Sequence, residues 1–351
     1  MARIKSNESS IILGAVDRFV GSLSKRSEML AIIDFHSKER FNWHYIPKAR
    51  KGLSILDMTQ QEKSNAKKLL QVLLSPSGYA TAEKIIQHEI TLKEIEESKN
   101  ISRFARDPML YYFTIFLSDN DFDIFGVRVE GHHLSINITI QKNNLISVTP
   151  NFYGANPGLV KSGEHKGLRI LDGEEDFSNQ IYLSLSRKQL SRAVIYDEAP
   201  NDLITKADFQ VLVNTEVGLS GDLMLKTQMK KLYDLIEIYI NRNPSGFSQK
   251  LSCQVKKYPK EKIFFAWAGS PELGVGNYYR ISTPSIFIEY DNTQDDANHI
   301  HSVMRYIEND FGVNSLSEHY KNQHWNYSGL FLKSSICNKI WEAVWELIAK
   351  A

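Results

Sequence analysis

Hydrophobic residues recur at a helical period in the first third of the chain and at alternate positions through much of the rest. Thr59-Gln-Gln-Glu62 reads as a capping box, and Ala66, Leu69, Leu70 and Leu73 follow on one helical face, which predicts a helix. Ser75-Pro76-Ser77-Gly78 is expected to stop it, and a second helix is expected from Thr81 through EITLKEIEES, ending before the turn formers Arg106-Asp107-Pro108.

From Tyr111 the period shortens. YYFTIFL, DIFGVRV, HHLSINITI and NLISVTP are rich in β-branched and aromatic residues and are separated by turn formers at Ser118–Asp121 and Lys142–Asn144, the pattern of an antiparallel meander. A Gly-rich loop is expected from Gly154 to Gly173, then helices around Ser186–Ile195 and Leu223–Ile240. A second set of strands, KIFFAWAG, NYYRIST, SIFIEYDN and HIHSVMRYI, precedes a closing helix over Ser334–Ala349. That helix stacks Ile336, Ile340, Trp341, Val344, Trp345 and Ile348 on one side, a core or oligomer-forming face. The predicted fold class is α+β, a single domain over 1–351. Residues 1–108 form a mainly helical part, 109–312 a β-rich core with inserted helices, and 313–351 a C-terminal helical part, with the sheet drawing on both halves of the chain.

Composition narrows the function classes. A chain of 351 residues that is 42% hydrophobic can bury a large core without a staple. Its 42 Lys and Arg against 41 Asp and Glu leave a formal charge of +1, so no global field draws it to nucleic acid or an acidic membrane. Lys226–Lys231 and Lys256–Lys262 are read as solvated faces. Cys253 and Cys337 are the only cysteines and form no CxxC, which argues against a disulfide framework or a thiolate zinc site. No signal-like or membrane-length apolar run is present, so a reducing, cytoplasmic setting is expected. P-loop, GxSxG and HExxH motifs are absent, and Gly274-Val-Gly276 lacks the rest of a dinucleotide loop.

The candidate chemistry lies in two histidine-bearing segments. If GHHLSINITI is a strand, alternation puts His133, Ser135, Asn137 and Thr139 on one face, and His132 with Leu134, Ile136, Ile138 and Ile140 on the other. The polar face is expected to meet solvent or a pocket. SIFIEYDNTQDDANHIHSVMRYI is expected to be a hairpin turning within Gln294–Ala297, so that His299, His301, Val303 and Arg305 project together. In a helix the two imidazoles would lie about 200° apart and could not share an ion. An HxH on a strand lets two imidazoles reach one cation, with a carboxylate or third histidine from elsewhere. Glu174, Glu175, Glu289 and Asp291 are candidate carboxylates, and Arg305 or Arg280 a candidate anion anchor.

WHYIP, Arg50-Lys-Gly-Leu53, GHHLSIN, NFYGANP, FAWAG, YYRI, EYDNTQDDANHIHSVMRY, DFG and Glu318-His319-Tyr320, in that order across roughly Trp43 to Tyr320, resemble the domain-of-unknown-function family numbered 3500. The resemblance implies no reaction. It puts Trp43, Tyr45, Arg50, His132, His133, Asn137, Gly154, Glu175, Arg280, Asp291, Asn292, Gln294, Asn298, His299, His301, Arg305 and His319 at motif positions, many of them polar and distant in sequence. Polar residues gathered by a fold mark a site.

The expected site lies between the two β sections. His133, His299 and His301, with His132 and Asp291 or Glu175, would bind a divalent transition metal, whether zinc, iron, manganese or copper. Arg305 and Arg50 would hold an anionic group of a small-molecule substrate, Asn137 or Asn298 would orient it, and His319 joins the catalytic candidates. The expected reaction is hydrolysis or elimination. The alternatives are a non-haem iron or copper oxidoreductase, a metal-free His/Arg acid–base enzyme, and a small-molecule binding protein.

Overall fold

The computed structural model describes residues 5–118, 121–142, 144–272, 274–307 and 309–314, and up to Gly312 these belong to one compact unit. His319 and the expected closing helix lie outside the described residues.

The first helices are α1 (Lys5–Val20), α2 (Lys25–Ala31), α3 (Gln60–Leu73) and α4 (Pro76–Ser98), with short strands β1 (Ile32–Asp34) and β2 (Leu53–Ser54) between α2 and α3. The capping box is present: Glu62 N donates to Thr59 Oγ1, and Glu62 Oε2 accepts from Thr59 N at 2.6 Å. Ser75-Pro76-Ser77-Gly78 does more than end α3. Ser75 Oγ accepts from Gly78 N and Pro76 occupies the first turn of α4, where its missing N–H costs nothing. The second helix therefore starts at Pro76, ahead of the expected Thr81.

The middle strands are β3 (Tyr112–Ser118), β4 (Asp121–Gly131), β5 (Leu134–Gln141), β6 (Asn144–Ser147) and β7 (Asn151–Ala155). Next come α5 (Asp172–Leu183), α6 (Arg187–Ala193), β8 (Val194–Tyr196), β9 (Leu219–Ser220), α7 (Lys226–Ile240) and α8 (Ser245–Lys257). The unit closes with β10 (Phe264–Gly269), β11 (Asn277–Ser282), β12 (Ile286–Thr293) and β13 (His299–Tyr306). Along the sheet the order is β1-β3-β4-β5-β7-β13-β12-β11-β10-β8, with β2 on β3, β6 on β5 and β9 on β10. Only β1–β3 and β8–β10 are parallel among these pairings. The fold is α+β, and one largely antiparallel sheet joins the middle and C-terminal parts of the chain. The seam is β7, which pairs with β5 through Leu134↔Tyr153 and with β13 through His301↔Gly154. Its sequence, NFYGA, runs into the expected Gly-rich loop, so that the loop's first residues, Gly154 and Ala155, are strand.

The two faces of the sheet are covered by different material. Leu134, Ile136, Tyr153, Ile288, Tyr290, Ile300 and Met304 join one buried apolar cluster with Ile85 of α4, Ile181 of α5 and Leu232, Leu235 and Ile236 of α7. The opposite face carries Arg128, Ser135, Asn137, Thr139, Glu289 and Arg305, all at 4% exposure or less. The expectation that this polar face meets solvent does not hold for these residues: two irregular segments lie on it. Buried irregular backbone has no ladder to satisfy its amides and carbonyls, and the polar side chains of the sheet do so instead. Arg128 Nη1 donates to the carbonyls of Glu39 and Asn42. Glu289 accepts from the amides of Ile204 and Thr205, and Arg280 Nη2 donates to Asn214 O.

Candidate metal site at three convergent histidines

Gly131 pairs with Leu134 across the β4–β5 hairpin, leaving His132 and His133 as its two-residue turn. His133 has φ +61°, a conformation more usual for glycine or asparagine at the second turn position. Strand alternation therefore does not apply to this pair: the two rings do not point to opposite faces but stack, with centroids 3.7 Å apart. His133 N donates to Tyr45 O, and Gly154 N donates to His133 O, which pins the turn over β7. Gly154 has to be a glycine here, because a Cβ would stand 2.9 Å from His133 Cδ2 and 2.8 Å from Ile300 O.

The β12–β13 hairpin forms as its pattern predicts, with Asp291↔His301 and Asn292↔Ile300 in register. Its turn is unusual: Asp295, Asp296 and Ala297 all have positive φ, 52°, 57° and 52°. Such a run is strained for residues with a Cβ and is characteristic of sites where the surrounding structure imposes the geometry. The turn brings Asp295 Oδ2 to 2.9 Å from His299 Nδ1, and Asn156 Nδ2 donates to the same oxygen at 2.9 Å. On the neighbouring position of the same face, His301 Nδ1 donates to Asp202 Oδ1 at 2.7 Å.

The three imidazoles converge. His133 Nε2 lies 2.8 Å from His299 Nε2, and one ligand nitrogen from each of His133, His299 and His301 falls within 4.8 Å of the others. With Nδ1 of His299 and His301 donating outward to carboxylates, the Nε2 lone pairs of both rings turn inward, the tautomer a metal ligand needs. His133 and His301 are buried, and the His299 side chain keeps 13% exposure, so the group sits at the edge of the protein interior. Burial first, then the neighbouring imidazoles, hold His133 well below the usual histidine range. Burial also lowers His299, against the Asp295 hydrogen bond. Burial pushes the Asp202 carboxyl up, but the hydrogen bond and charge of His301 outweigh it and hold the group below its ordinary value. Tyr45 closes the inner side: its ring stacks on Phe152 at 4.1 Å and meets His301 edge-on at 4.9 Å, and its hydroxyl donates to Asp202 Oδ2.

The other candidate residues stand elsewhere. His132 stacks on His133 but spends its Nδ1 on Glu89 Oε1 at 2.6 Å, with Arg106 Nη1 3.1 Å from the same nitrogen. Asp291 lies across from His301, fully buried and pushed up to about 8 by burial, and its Oδ2 has no hydrogen-bond partner among the described residues. Arg305 is bound to Asp310 and to the carbonyl of Asp208. Arg50 donates to the carbonyls of Ile46 and Gly131, Asn137 to Ser135 and Pro150 O, and Asn298 to Leu159 O. Glu175 pairs with Arg169 at 2.5 Å. Arg305, Arg50, Asn137, Asn298 and Glu175 thus brace backbone or other side chains, whereas Asp291 Oδ2 does not.

Sequence reasoning missed Asp202. It sits in an irregular segment without periodicity, distant in sequence from every histidine it serves, and no local signal marks it. Asp295, visible as an acid beside the HIH, gained its role only through the left-handed turn.

The family described as "Protein of unknown function (DUF3500)" matches residues 5–313. Neither the curated proteins nor the solved structures contain a match to the chain. No helix among the described residues is long and apolar enough to cross a membrane.

Proposed function

We propose that this chain, which belongs to the DUF3500 family, is a metal-dependent enzyme of hydrolytic or lyase type that acts on a small polar molecule through His133, His299 and His301. The observation that carries the reading is the convergence of three imidazoles from two distant hairpins, two of them anchored through Nδ1 to Asp295 and Asp202. Carboxylate-backed histidine sets of this kind orient metal ligands and raise their basicity. Metal–nitrogen bonds of about 2.0–2.1 Å at tetrahedral angles place neighbouring nitrogens about 3.3 Å apart. The rings of His133 and His299 therefore part by about 0.5 Å to admit an ion, a side-chain adjustment. A bound divalent ion there supplies Lewis acidity and a coordinated water acidic enough to act near neutral pH. Zinc, manganese, iron and copper all accept neutral imidazoles, and an iron or copper ion would move the reading to oxidation. With Arg305 and Arg50 locked onto carbonyls and Asp310, support falls on a polar substrate over an anionic one.

Elemental analysis of untagged protein tests this. About one equivalent of a transition metal is expected, together with a rise in melting temperature when the ion is returned to chelated protein, because a ligand at 100 times its Kd adds about 2.7 kcal/mol. Less than about 0.2 equivalents with no thermal shift would sink the proposal. A metal-free acid–base reading has one observation in its favour, the 2.8 Å Nε2–Nε2 separation, at which a single proton can bridge two imidazoles. Ligand-induced stabilisation that survives EDTA would favour it.

A further inference from the structure

Of the three convergent imidazoles, two are oriented by carboxylates and one is not. His299 and His301 turn Nδ1 to Asp295 and Asp202, at 2.9 and 2.7 Å. No described residue hydrogen-bonds to His133 Nδ1, and its Nε2 faces His299. The ring torsion of histidine is broad and roughly two-fold, so a metal ligand without an outer partner needs its plane fixed in another way.

We propose that His132, tethered by Glu89, is the positioning residue of His133, and does by stacking what the two aspartates do by hydrogen bonding. This rests on the metal reading above and brings His132 into that site without making it a ligand.

The first support is contact. The His132 ring lies on the His133 ring with centroids 3.7 Å apart and planes 29° from parallel. At its edge the His133 ring meets the backbone of Gly154, where a Cβ would stand 2.9 Å from Cδ2. These two surfaces limit how far the ring can turn. The contact exists because both histidines occupy the two-residue turn between β4 and β5, with His133 at φ +61°, outside the alternation of the strands.

The second support is that His132 is itself held. Its Nδ1 lies 2.6 Å from Glu89 Oε1 and 3.1 Å from Arg106 Nη1, and its carbonyl accepts from Tyr111 Oη at 2.7 Å. Arg106 donates in turn to Glu96, from Nε at 3.1 Å and from Nη2 at 2.8 Å. Glu89, Glu96 and His132 are all 8% exposed or less, and hydrogen bonds so placed are stronger than bonds made in water.

The third support is the origin of the tether. Glu89 and Glu96 both belong to α4 and stand about two turns apart on one face of it. EITLKEIEES reads as a charged helix surface, yet these two acids are buried. Apolar residues in their places would pack α4 on the sheet without the cost of burying acids. An acid is required where a ring nitrogen has to be fixed.

Zinc affinity of the full chain, read by competition with a chromogenic chelator, and the visible spectrum of its cobalt(II)-loaded form test the proposal. His132→Ala removes the stacked face. It is expected to lower zinc affinity about tenfold or more, the scale of one aromatic pair or one outer-shell partner, and to change the cobalt spectrum, which reports ligand geometry. Glu89→Leu cuts the tether and should also lower affinity. The double variant Glu89→Leu/His132→Phe puts an apolar pair in place of the hydrogen-bonded one and still offers His133 a flat ring, so it should recover affinity to within about threefold of the parent. If His132→Ala does not fold, Glu89→Leu and the double variant decide. Single variants within about threefold of the parent, or a double variant as weak as the singles, would overturn the inference and leave the metal reading standing. Parent protein that takes up no zinc would remove both.

Discussion

The polar face of the sheet carries two buried clusters of side chains at opposite ends of β13, and they are built on different rules. Near its C-terminal end Arg305 Nε donates to Asp310 Oδ2 at 2.6 Å, Asp310 Oδ1 accepts from Tyr306 N at 2.8 Å, and Arg305 Nη2 donates to Asp208 O at 2.8 Å. The Trp43 ring lies 5.5 Å beneath the guanidinium. Arg305 Nε, Arg305 Nη2 and Tyr306 N meet acceptors there, and the result holds an irregular segment against the sheet. At the N-terminal end His133 Nε2 faces His299 Nε2, while the carboxylates take the outward nitrogens. Two like atoms at close range stabilise nothing by themselves. They do so when a cation or proton stands between them, and on the proposed reading this end of the face is a site and the other a brace.

The sharpest way to break the distinction is Arg305→Ala. Removing a fully buried guanidinium leaves Asp310 buried without its partner, and about 3–5 kcal/mol of unfolding free energy should be lost in a urea titration. A loss under about 1 kcal/mol would mean that the cluster is not a brace. Gly154→Ala attacks the other end. Its Cβ would press on His133 Cδ2 and Ile300 O, and the expected cost is about 1–3 kcal/mol in stability. Zinc affinity, read by competition with a chromogenic chelator, should fall with it, and unchanged affinity would show that His133 is not held by that floor. Asp202→Asn separates site from brace most cleanly. It keeps the shape of the side chain and weakens the hold on His301 Nδ1, so zinc affinity should drop by about 10–100-fold while stability changes by about 1 kcal/mol or less. A large stability loss with intact affinity would make Asp202 a brace as well.

The brace and the site were legible in the sequence to different degrees. The Thr59–Glu62 capping box and the alternation in HIHSVMRY are local signals, and the helix and the strand follow them because each pattern is enforced by burial of one face. The turn at His132-His133 was not legible, since alternation holds only inside a strand and the residues carry no glycine to announce a positive φ. Strand β7 was hidden for a different reason. NFYGA has no strong propensity and becomes a strand because β5 and β13 both need a partner, a tertiary effect. The polar face of β5 was correctly seen as unlike an apolar core, but what covers it is irregular chain, whose placement depends on hydrogen bonds that no period records.

Buried acids draw the same contrast at the smallest scale. Asp310 lies against a guanidinium as an ion pair, whereas Glu89 lies against His132, a ring that burial and then Arg106 hold well below the usual histidine range. Glu89 itself is pushed up to about 8 by burial, above the ordinary value near 4.3 of an unfolded chain. Between those two values the folded protein keeps a proton that the unfolded chain has released. Unfolding there releases a proton, and stability must fall as pH rises through the window. Glutamine has the same shape and does not titrate. Measured by urea unfolding at pH 5 and pH 8, Glu89→Gln should therefore gain on the parent protein by about 1 kcal/mol or more at the higher pH. A constant difference between the two would show that Glu89 is charged in the folded state, and this pair would then belong with the braces.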